Sequence, residues 1–502
     1  HRLSYAEWVE RTKRLGLALR RELGLQPGDR VATFAWNHHE HLETYIGAPC
    51  VSLVVHTLNL RLHPDDLTYI ATHAGDRALV ADKVLWPLVE QFRERVGFEH
   101  VVAIGAGPTP EGAIEYEELL ATQDASDFVY EDVDERAAAA MCYTSGTTGK
   151  PKGVVYSHRA IALHSLASTQ ASTIGIREDD VVLPVVPMFH ANAWGFPFTC
   201  ALVGADQVFP GPHLDPESLL DAFVQERVTV TAGVPTIWLG ILKALDAEPE
   251  RWDLARLRSM VVGGSAAPRA LIEGFERRHG LHVCHAWGMT EMCPLGTVSE
   301  LTSRERALPE DERFAYRAKQ GLPAPFVEIR ARGEQGLVPW DGRTMGELEV
   351  RGPWIASAYH DAPEAADRWT EDGWFRTGDI ATIEPGGYVE IQDRAKDVIK
   401  SGGEWISSVA LENALMGHPA VAEAAVIAIP DPKWDERPLA VVVLRQGAEA
   451  TTDELRAFLA PRFAKWWLPD RFEFVEEIPK TAVGKFRKTA LRERFAGVPA
   501  RA

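Results

Sequence analysis

Short apolar runs alternate with stretches of helical periodicity through most of this chain, and that alternation restricts it to an α/β architecture. The runs 30–36, 78–82, 100–104, 181–184, 207–209, 228–232 and 259–262 read as short buried strands. Between them, 219–226 and 270–278 carry the spacing of amphipathic helices. The pattern changes after about residue 323. Segments 327–331 and 347–351 read as antiparallel strands, and 379–383 and 388–392 flank a hairpin turn at Glu384-Pro385-Gly386-Gly387. A further βα pattern follows at 424–429, 439–444, a helix at 452–459, and 472–475. A boundary near 394–396 therefore separates an N-terminal domain, 1–394, from a C-terminal domain, 395–502.

Composition removes whole classes of function. At 46% hydrophobic and 25% charged residues, the chain is neither disordered, collagen-like nor a small disulfide scaffold. Its 53 basic against 72 acidic side chains leave a net charge of −19, which argues against a nucleic-acid partner. A local backbone nest can still hold a phosphate inside an acidic protein. The cysteines at 50, 142, 200, 284 and 293 include no CxxC pair, so neither a disulfide framework nor a zinc ribbon fits, and a reducing cytoplasm is expected. There is no apolar stretch long enough for a transmembrane helix and no signal-like start. The chain opens at His1 directly into what reads as a helix start, so an upstream segment is expected.

The densest chemical signal is Tyr143-Thr144-Ser145-Gly146-Thr147-Thr148-Gly149-Lys150-Pro151-Lys152-Gly153. Small hydroxyl residues and glycines let successive backbone N–H groups turn toward an anion, and two lysines add charge. This is the composition of a phosphate-gripping loop. It is not a Walker A loop: Thr144 stands where that motif has its first glycine, and Pro151 where it needs Ser or Thr at a helix start.

At this point residues 144–153 resemble the phosphate loop of the adenylate-forming superfamily. Four more segments resemble its motifs in the family order: Trp287-Gly288-Met289-Thr290-Glu291, Trp374-Phe375-Arg376-Thr377-Gly378-Asp379, Asp393-Arg394-Ala395-Lys396-Asp397, and Pro479-Lys480-Thr481-Ala482-Val483-Gly484-Lys485. The resemblance implies a large N-terminal domain of stacked α/β sheets plus a β-rich subdomain, followed by a small mobile α+β C-terminal domain. It also implies a two-step ligation. A carboxylate attacks the α-phosphate of ATP to give an acyl-adenylate and pyrophosphate, and a thiol then displaces AMP.

Roles carried over with the resemblance are these. Thr144, Ser145, Gly146, Thr147, Thr148, Gly149 and Lys150 hold the β- and γ-phosphates. Glu291, with Thr147, holds Mg²⁺, for which a hard carboxylate oxygen is suited. Thr290 contacts the α-phosphate. Gly264, Ser265 and Ala266 line the adenine and acyl pockets, with Trp287 and Gly288 beside adenine. Trp287 stands where most relatives have tyrosine; it can stack as well but lacks the phenol hydroxyl. Asp379 accepts from the ribose hydroxyls and Arg394 contacts ribose or phosphate. Lys485 bridges the carboxylate and α-phosphate during adenylation. Lys396 is the hinge about which the small domain rotates, bringing Gly402, Gly403, Glu404 and Trp405 to the CoA thiol.

The segment 187–197 (PMFHANAWGFP), together with 286–294 and 400–408, resembles bacterial medium- and long-chain fatty acyl-CoA synthetases and their relative, methylmercaptopropionate-CoA ligase. His190 is then expected beside the carboxylate, although an isolated histidine among apolar residues is more often a core group. Trp194 is expected to gate the acyl tunnel, with a fixed core tryptophan as the plain alternative. Val234, Pro235, Gly264, Met289 and Met292 are placed at the acyl site. The leading expectation is a fatty acid–CoA ligase using ATP, Mg²⁺ and CoA. The competing readings are a short thioether-acid or aryl-acid CoA ligase and a carrier-protein-loading adenylation enzyme. The subgroup is also compatible with a homodimer.

Overall fold

The computed structural model describes residues 1–144, 150–402, 404–480 and 486–497, and the chain forms two compact units. The first comprises His1–Glu328 and Arg351–Phe375, the second Ile329–Val350 and Arg376–Ala502.

The first unit holds two seven-stranded sheets. One contains β1 (Arg30–Phe34), β2 (Val54–Thr57), β3 (Asp76–Asp82), β4 (His100–Ile104), β5 (Ile114–Glu115), β6 (Ala138–Tyr143) and β7 (Gly153–Ser157), ordered 5-4-3-1-2-6-7. All neighbours are parallel except β7, which folds back antiparallel on β6. The other contains β8 (Val181–Pro184), β9 (Asp206–Gln207), β10 (Val230–Gly233), β11 (Ser259–Val262), β12 (Val283–Gly288), β13 (Leu295–Val298) and β14 (Leu322–Pro323), ordered 14-13-12-11-10-8-9. Its strands run parallel from β12 to β9, with β13 and β14 antiparallel.

The central parallel strands are short continuous apolar runs because both faces are covered: every residue of β10 and β11 is buried. Helices Pro216–Gln225, Pro235–Ala247 and Arg269–His279 supply Leu219, Trp238, Leu242 and Phe275 to that core. Each such side chain contributes about 1.5–3 kcal/mol by leaving water. Trp238 also donates its indole N–H to the Gly233 carbonyl at 3.0 Å, which fixes the turn from β10 into its helix. Gly233 can carry no side chain there, since a Cβ would stand 2.8 Å from that ring.

The second unit begins with β15 (Glu328–Gly333), β16 (Gly336–Leu337), β17 (Gly346–Arg351), β18 (Phe375–Ile383) and β19 (Val389–Arg394), ordered 16-15-17-18-19. The β18–β19 hairpin turns at the expected place, closed by Gly387 N–H donating to the Glu384 carbonyl at 2.8 Å. It continues with β20 (Ile399–Ser401), β21 (Glu404–Ile406), β22 (Val421–Asp431), β23 (Asp435–Leu444) and β24 (Arg471–Phe474), packed on Leu411, Leu415, Leu455 and Leu459.

The strands at 100–104, 181–184 and 259–262 and the helix at 452–459 fall where the periodicity puts them. β6 (AAAMCY) escapes sequence reading, because alanines with no β-branched residue give no strand preference and burial alone makes the strand. The compact units also do not divide at 394/395. Asp393 of β19 accepts from both the backbone N–H and the hydroxyl of Ser408, at 2.5 and 2.6 Å, and so ties the β-rich sheet to the helix Ser408–Met416. Among the described residues no helix is long and apolar enough to cross a membrane.

Candidate active site

Because β8, β10, β11 and β12 are parallel, their C-terminal ends open at one edge of the sheet, the place where α/β folds collect ligand-binding loops. Segments far apart in sequence meet there: Trp194, Val234 and Gly263–Gly264, with the Ala286 carbonyl beside Gly263. The Trp194 indole lies on the backbone of Gly263, where a Cβ would be 3.0 Å from its ring, and near Gly264, whose Cβ would be 3.2 Å from Val234. Trp194, Val234 and Gly264, three of the residues assigned to the acyl side, are thus in one cluster. Gly264, Ser265 and Ala266 are exposed, and Trp194 and Met289 are half-buried. Met292 is instead sealed in the core beneath Gly296. His190 is exposed rather than a core group.

The turn that carries Trp194 is strained. Ala191, Asn192, Ala193 and Trp194 have φ of 43°, 53°, 48° and 56°, a left-handed run that costs roughly 1–2 kcal/mol per non-glycine residue. Such a run persists only where its surroundings over-determine it. Upstream, the Asn37 carboxamide donates to the Val186 carbonyl at 2.9 Å and accepts from Met188 N–H at 2.7 Å, while the Tyr45 hydroxyl donates to the Met188 carbonyl. Downstream, Gly195 (φ 78°) lies under the His164 ring, whose Nε2 accepts from Leu295 N–H at 3.3 Å. Burial pulls the His164 pKa down to about 3, so the ring is neutral and can accept. A Cβ on Gly195 would be 2.5 Å from that ring. Gly195→Ala is therefore expected to destabilise the first unit by about 2–4 kcal/mol, read as a fall in urea midpoint.

The glycine-rich segment joins β6 to β7. Its described ends close as a hairpin: Thr144 N–H donates to the Lys152 carbonyl at 2.9 Å, and the Thr144 hydroxyl oxygen accepts from Lys152 N–H at 3.2 Å. Lys150 Nζ lies 4.8 Å from the centre of the Tyr69 ring, and Lys152 Nζ lies 5.7 Å from that of Tyr359. Two tyrosines tie this hairpin to the short 3-10 turn Thr290–Met292. Tyr156 of β7 donates to the Thr290 carbonyl at 2.6 Å, and Tyr359 donates to Glu291 Oε1 at 2.5 Å. Glu291 is 5% exposed, and burial together with that carboxylate holds the Tyr359 hydroxyl well above its usual pKa, so it stays a donor. Gly288 is sterically required, since a Cβ would fall 1.9 Å from the Pro294 carbonyl oxygen.

A buried carboxylate beside a lysine-bearing hairpin fits a hard divalent cation. Among the described residues no cluster of three or more His, Cys, Asp or Glu forms a protein cage. Mg²⁺ characteristically needs none, taking one or two carboxylates plus phosphate and water oxygens.

In the second unit, Asp379 and Arg394 face each other across the β18–β19 ladder and form an ion pair of 2.9 Å. Asp379 is 2% exposed, and its N–H donates to the Thr377 hydroxyl at 3.0 Å. Lys396 is exposed, while the neighbouring Asp397 pairs with Arg492 at 2.6 Å. Gly402 (φ 64°) donates its N–H to the Trp434 carbonyl and faces that ring, and Trp405 lies across from Lys400 in the β20–β21 ladder. Ser145, Gly146, Thr147, Thr148, Gly149, Gly403, Lys485 and the Glu404 side chain lie outside the described residues. Sequence reading missed Tyr69, Tyr156, Tyr359, His164 and Trp434; none stands in a motif, and only the fold brings them to one.

A family model of the AMP-binding enzymes matches residues 1–360, and one of the AMP-binding enzyme C-terminal domain matches 410–485. The chain belongs to this family of adenylate-forming enzymes. It is 53% identical to a long-chain-fatty-acid–CoA ligase of Thermus thermophilus, over 99% of this chain and 90% of that protein. It is 46% identical to a 3-methylmercaptopropionyl-CoA ligase of Ruegeria pomeroyi, over 99% and 92%. Among solved structures, ATP-bound MatB of Rhodopseudomonas palustris superposes with a TM-score of 0.84 at 28% identity, covering 99% of this chain and 94% of that one.

Proposed function

We propose that this protein is an AMP-forming acid–CoA ligase that activates a medium- to long-chain fatty acid and transfers the acyl group to CoA. The observation that carries the substrate reading is the apolar cluster at the strand ends, where the Trp194 indole and Val234 lie over the side-chain-free backbone of Gly263 and Gly264. A methylene chain gains about 0.8 kcal/mol per CH₂ buried against such a surface.

In the first step a carboxylate oxygen of the acid attacks the α-phosphorus of ATP and pyrophosphate leaves. In the second, the CoA sulfur attacks the acyl carbon and AMP leaves. On this reading Thr144, Lys150 and the hydroxyls of Ser145, Thr147 and Thr148 grip the outer phosphates. Thr290 positions the α-phosphate, and His190 stands by the incoming carboxylate. Glu291 and Thr147 hold Mg²⁺, which neutralises phosphate charge when bound. Trp287, Gly288, Gly264, Ser265 and Ala266 receive adenine, Asp379 and Arg394 the ribose, and Val234, Pro235 and Met289 the chain. Lys485 neutralises charge developing at the α-phosphate. Lys396 serves as the pivot between 1–394 and 395–502, and Gly402, Gly403, Glu404 and Trp405 guide the CoA arm. We place the enzyme in the cytoplasm, consistent with its five free cysteines, and expect a homodimer, readable by sedimentation equilibrium.

Acid-dependent AMP release with CoA, measured from C3 to C16 acids, tests the substrate. kcat/KM at C8–C16 is expected to exceed that at C3–C5 by about tenfold or more, from a few further methylenes buried at about 0.8 kcal/mol each. Preference for 3-methylmercaptopropionate, favoured by the 46% identical relative, would overturn the fatty-acid reading while leaving the ligase reading intact. Activity only with a phosphopantetheinylated carrier protein would overturn CoA as the acceptor.

A further inference from the structure

We infer that Tyr359 is a positioning residue that fixes the carboxylate of Glu291 through one oxygen, so that the site takes Mg²⁺ in preference to Ca²⁺. The inference rests on the ligase reading above, in which Glu291 holds the cation. The Tyr359 hydroxyl donates to Glu291 Oε1 at 2.5 Å. An ionised carboxylate only accepts, so the phenol is the donor, and the bond is of the short, charge-assisted kind. The same stretch of chain also holds the main chain of Glu291, where Ala356 N–H donates to its carbonyl at 2.8 Å. Glu291 is therefore gripped at backbone and side chain by two residues three positions apart.

Tyr359 is itself held in place. Trp369 meets its ring edge-on, with centroids 5.2 Å apart and planes at 73°, and donates its indole N–H to the Ala356 carbonyl at 2.6 Å. His360 N–H donates to the Gly153 carbonyl at 2.8 Å, which anchors the segment to the first residue of β7. With hydroxyl, ring and flanking backbone all engaged, the phenol holds the carboxylate in one orientation. A cation then meets Glu291 through Oε2 alone, because turning both oxygens toward one ion would break the phenol bond. Ca²⁺ accepts a carboxylate through one or both oxygens in a loose shell of about 6–8 ligands, whereas Mg²⁺ demands a near-ideal octahedron and keeps several waters. A single fixed oxygen suits Mg²⁺ and withholds from Ca²⁺ a ligand that it would use. Hydrogen-bonded partners of metal ligands typically govern roughly 10- to 100-fold in metal affinity.

The test measures the affinity for β,γ-imido-ATP by calorimetry with saturating Mg²⁺, with saturating Ca²⁺ and with EDTA. In the parent, Mg²⁺ is expected to tighten binding over EDTA by about tenfold more than Ca²⁺ does. Tyr359→Phe keeps the ring beside Trp369 and Lys152 and removes only the hydroxyl. It should cut the Mg²⁺ gain by about tenfold and move the Ca²⁺ gain by less than about twofold, so that the preference disappears. In a Glu291→Gln background the same substitution should change neither gain. A merely structural role would lower the urea midpoint and leave the ratio of the two gains at the parent's value. An unmoved ratio in Tyr359→Phe, a parent without the preference, or a full effect of Tyr359→Phe in the Glu291→Gln background would each overturn the inference. A parent that binds no nucleotide under any of the three conditions fails the ligase reading, and the inference with it.

Discussion

Replacing Lys485 by alanine is expected to lower acid-dependent ATP–pyrophosphate exchange by a factor on the order of 10²–10³, the usual cost of losing one preorganised charge at a developing anion. Adenylation brings a carboxylate to a polyphosphate, so charge must be neutralised where the new bond forms. The net charge of −19 shows that this cannot come from the global field and has to be local. Thioester formation breaks a mixed anhydride and makes no new bond to phosphorus, so it has less need of that lysine. Acyl-CoA formation from supplied acyl-adenylate should therefore fall by less than about tenfold in the same variant. Equal losses in the two half-reactions would sink the assigned role.

Glu291→Gln is expected to cost about 10²-fold in the same exchange and to raise the half-saturating Mg²⁺ concentration by about tenfold or more. The substitution is nearly isosteric, and the new side chain can still accept from the Tyr359 hydroxyl now 2.5 Å from Oε1. What is lost is the negative charge in a site 5% exposed, where water cannot replace it. A loss of exchange with an unchanged Mg²⁺ requirement would mean that Glu291 shapes the turn and does not hold the ion. An unfolded variant is excluded by a urea midpoint close to that of the parent.

Two glycines of the candidate site were legible because their demands are local. Gly288 and Gly264 stand in recognisable motifs, and each is required by its immediate backbone: one has a carbonyl oxygen where a Cβ would be, the other a φ of 77°. Thr144 and Lys150 are residue types that a phosphate needs wherever they sit. The compact-unit boundary was not legible. A hairpin belongs to whichever core its side chains join, and Asp393 binds β19 to Ser408, a choice invisible in the hairpin's own sequence.

The sequence by itself determined the family and carried the residue types of the proposed chemistry: a glycine- and hydroxyl-rich loop, an acidic residue, a lysine near the end of the chain, and the order in which they occur. Residue identity carries such information because functional groups and backbone permissiveness are properties of single residues. Only the tertiary structure decided which side chains support them. Tyr156 reaches Thr290 across 134 residues, Tyr359 reaches Glu291 across 68, and Cys142 reaches Asn192 across 50. Parallel strands bring their ends to one edge only through crossover connections, so strand order sets these meetings, and neither spacing nor composition records it.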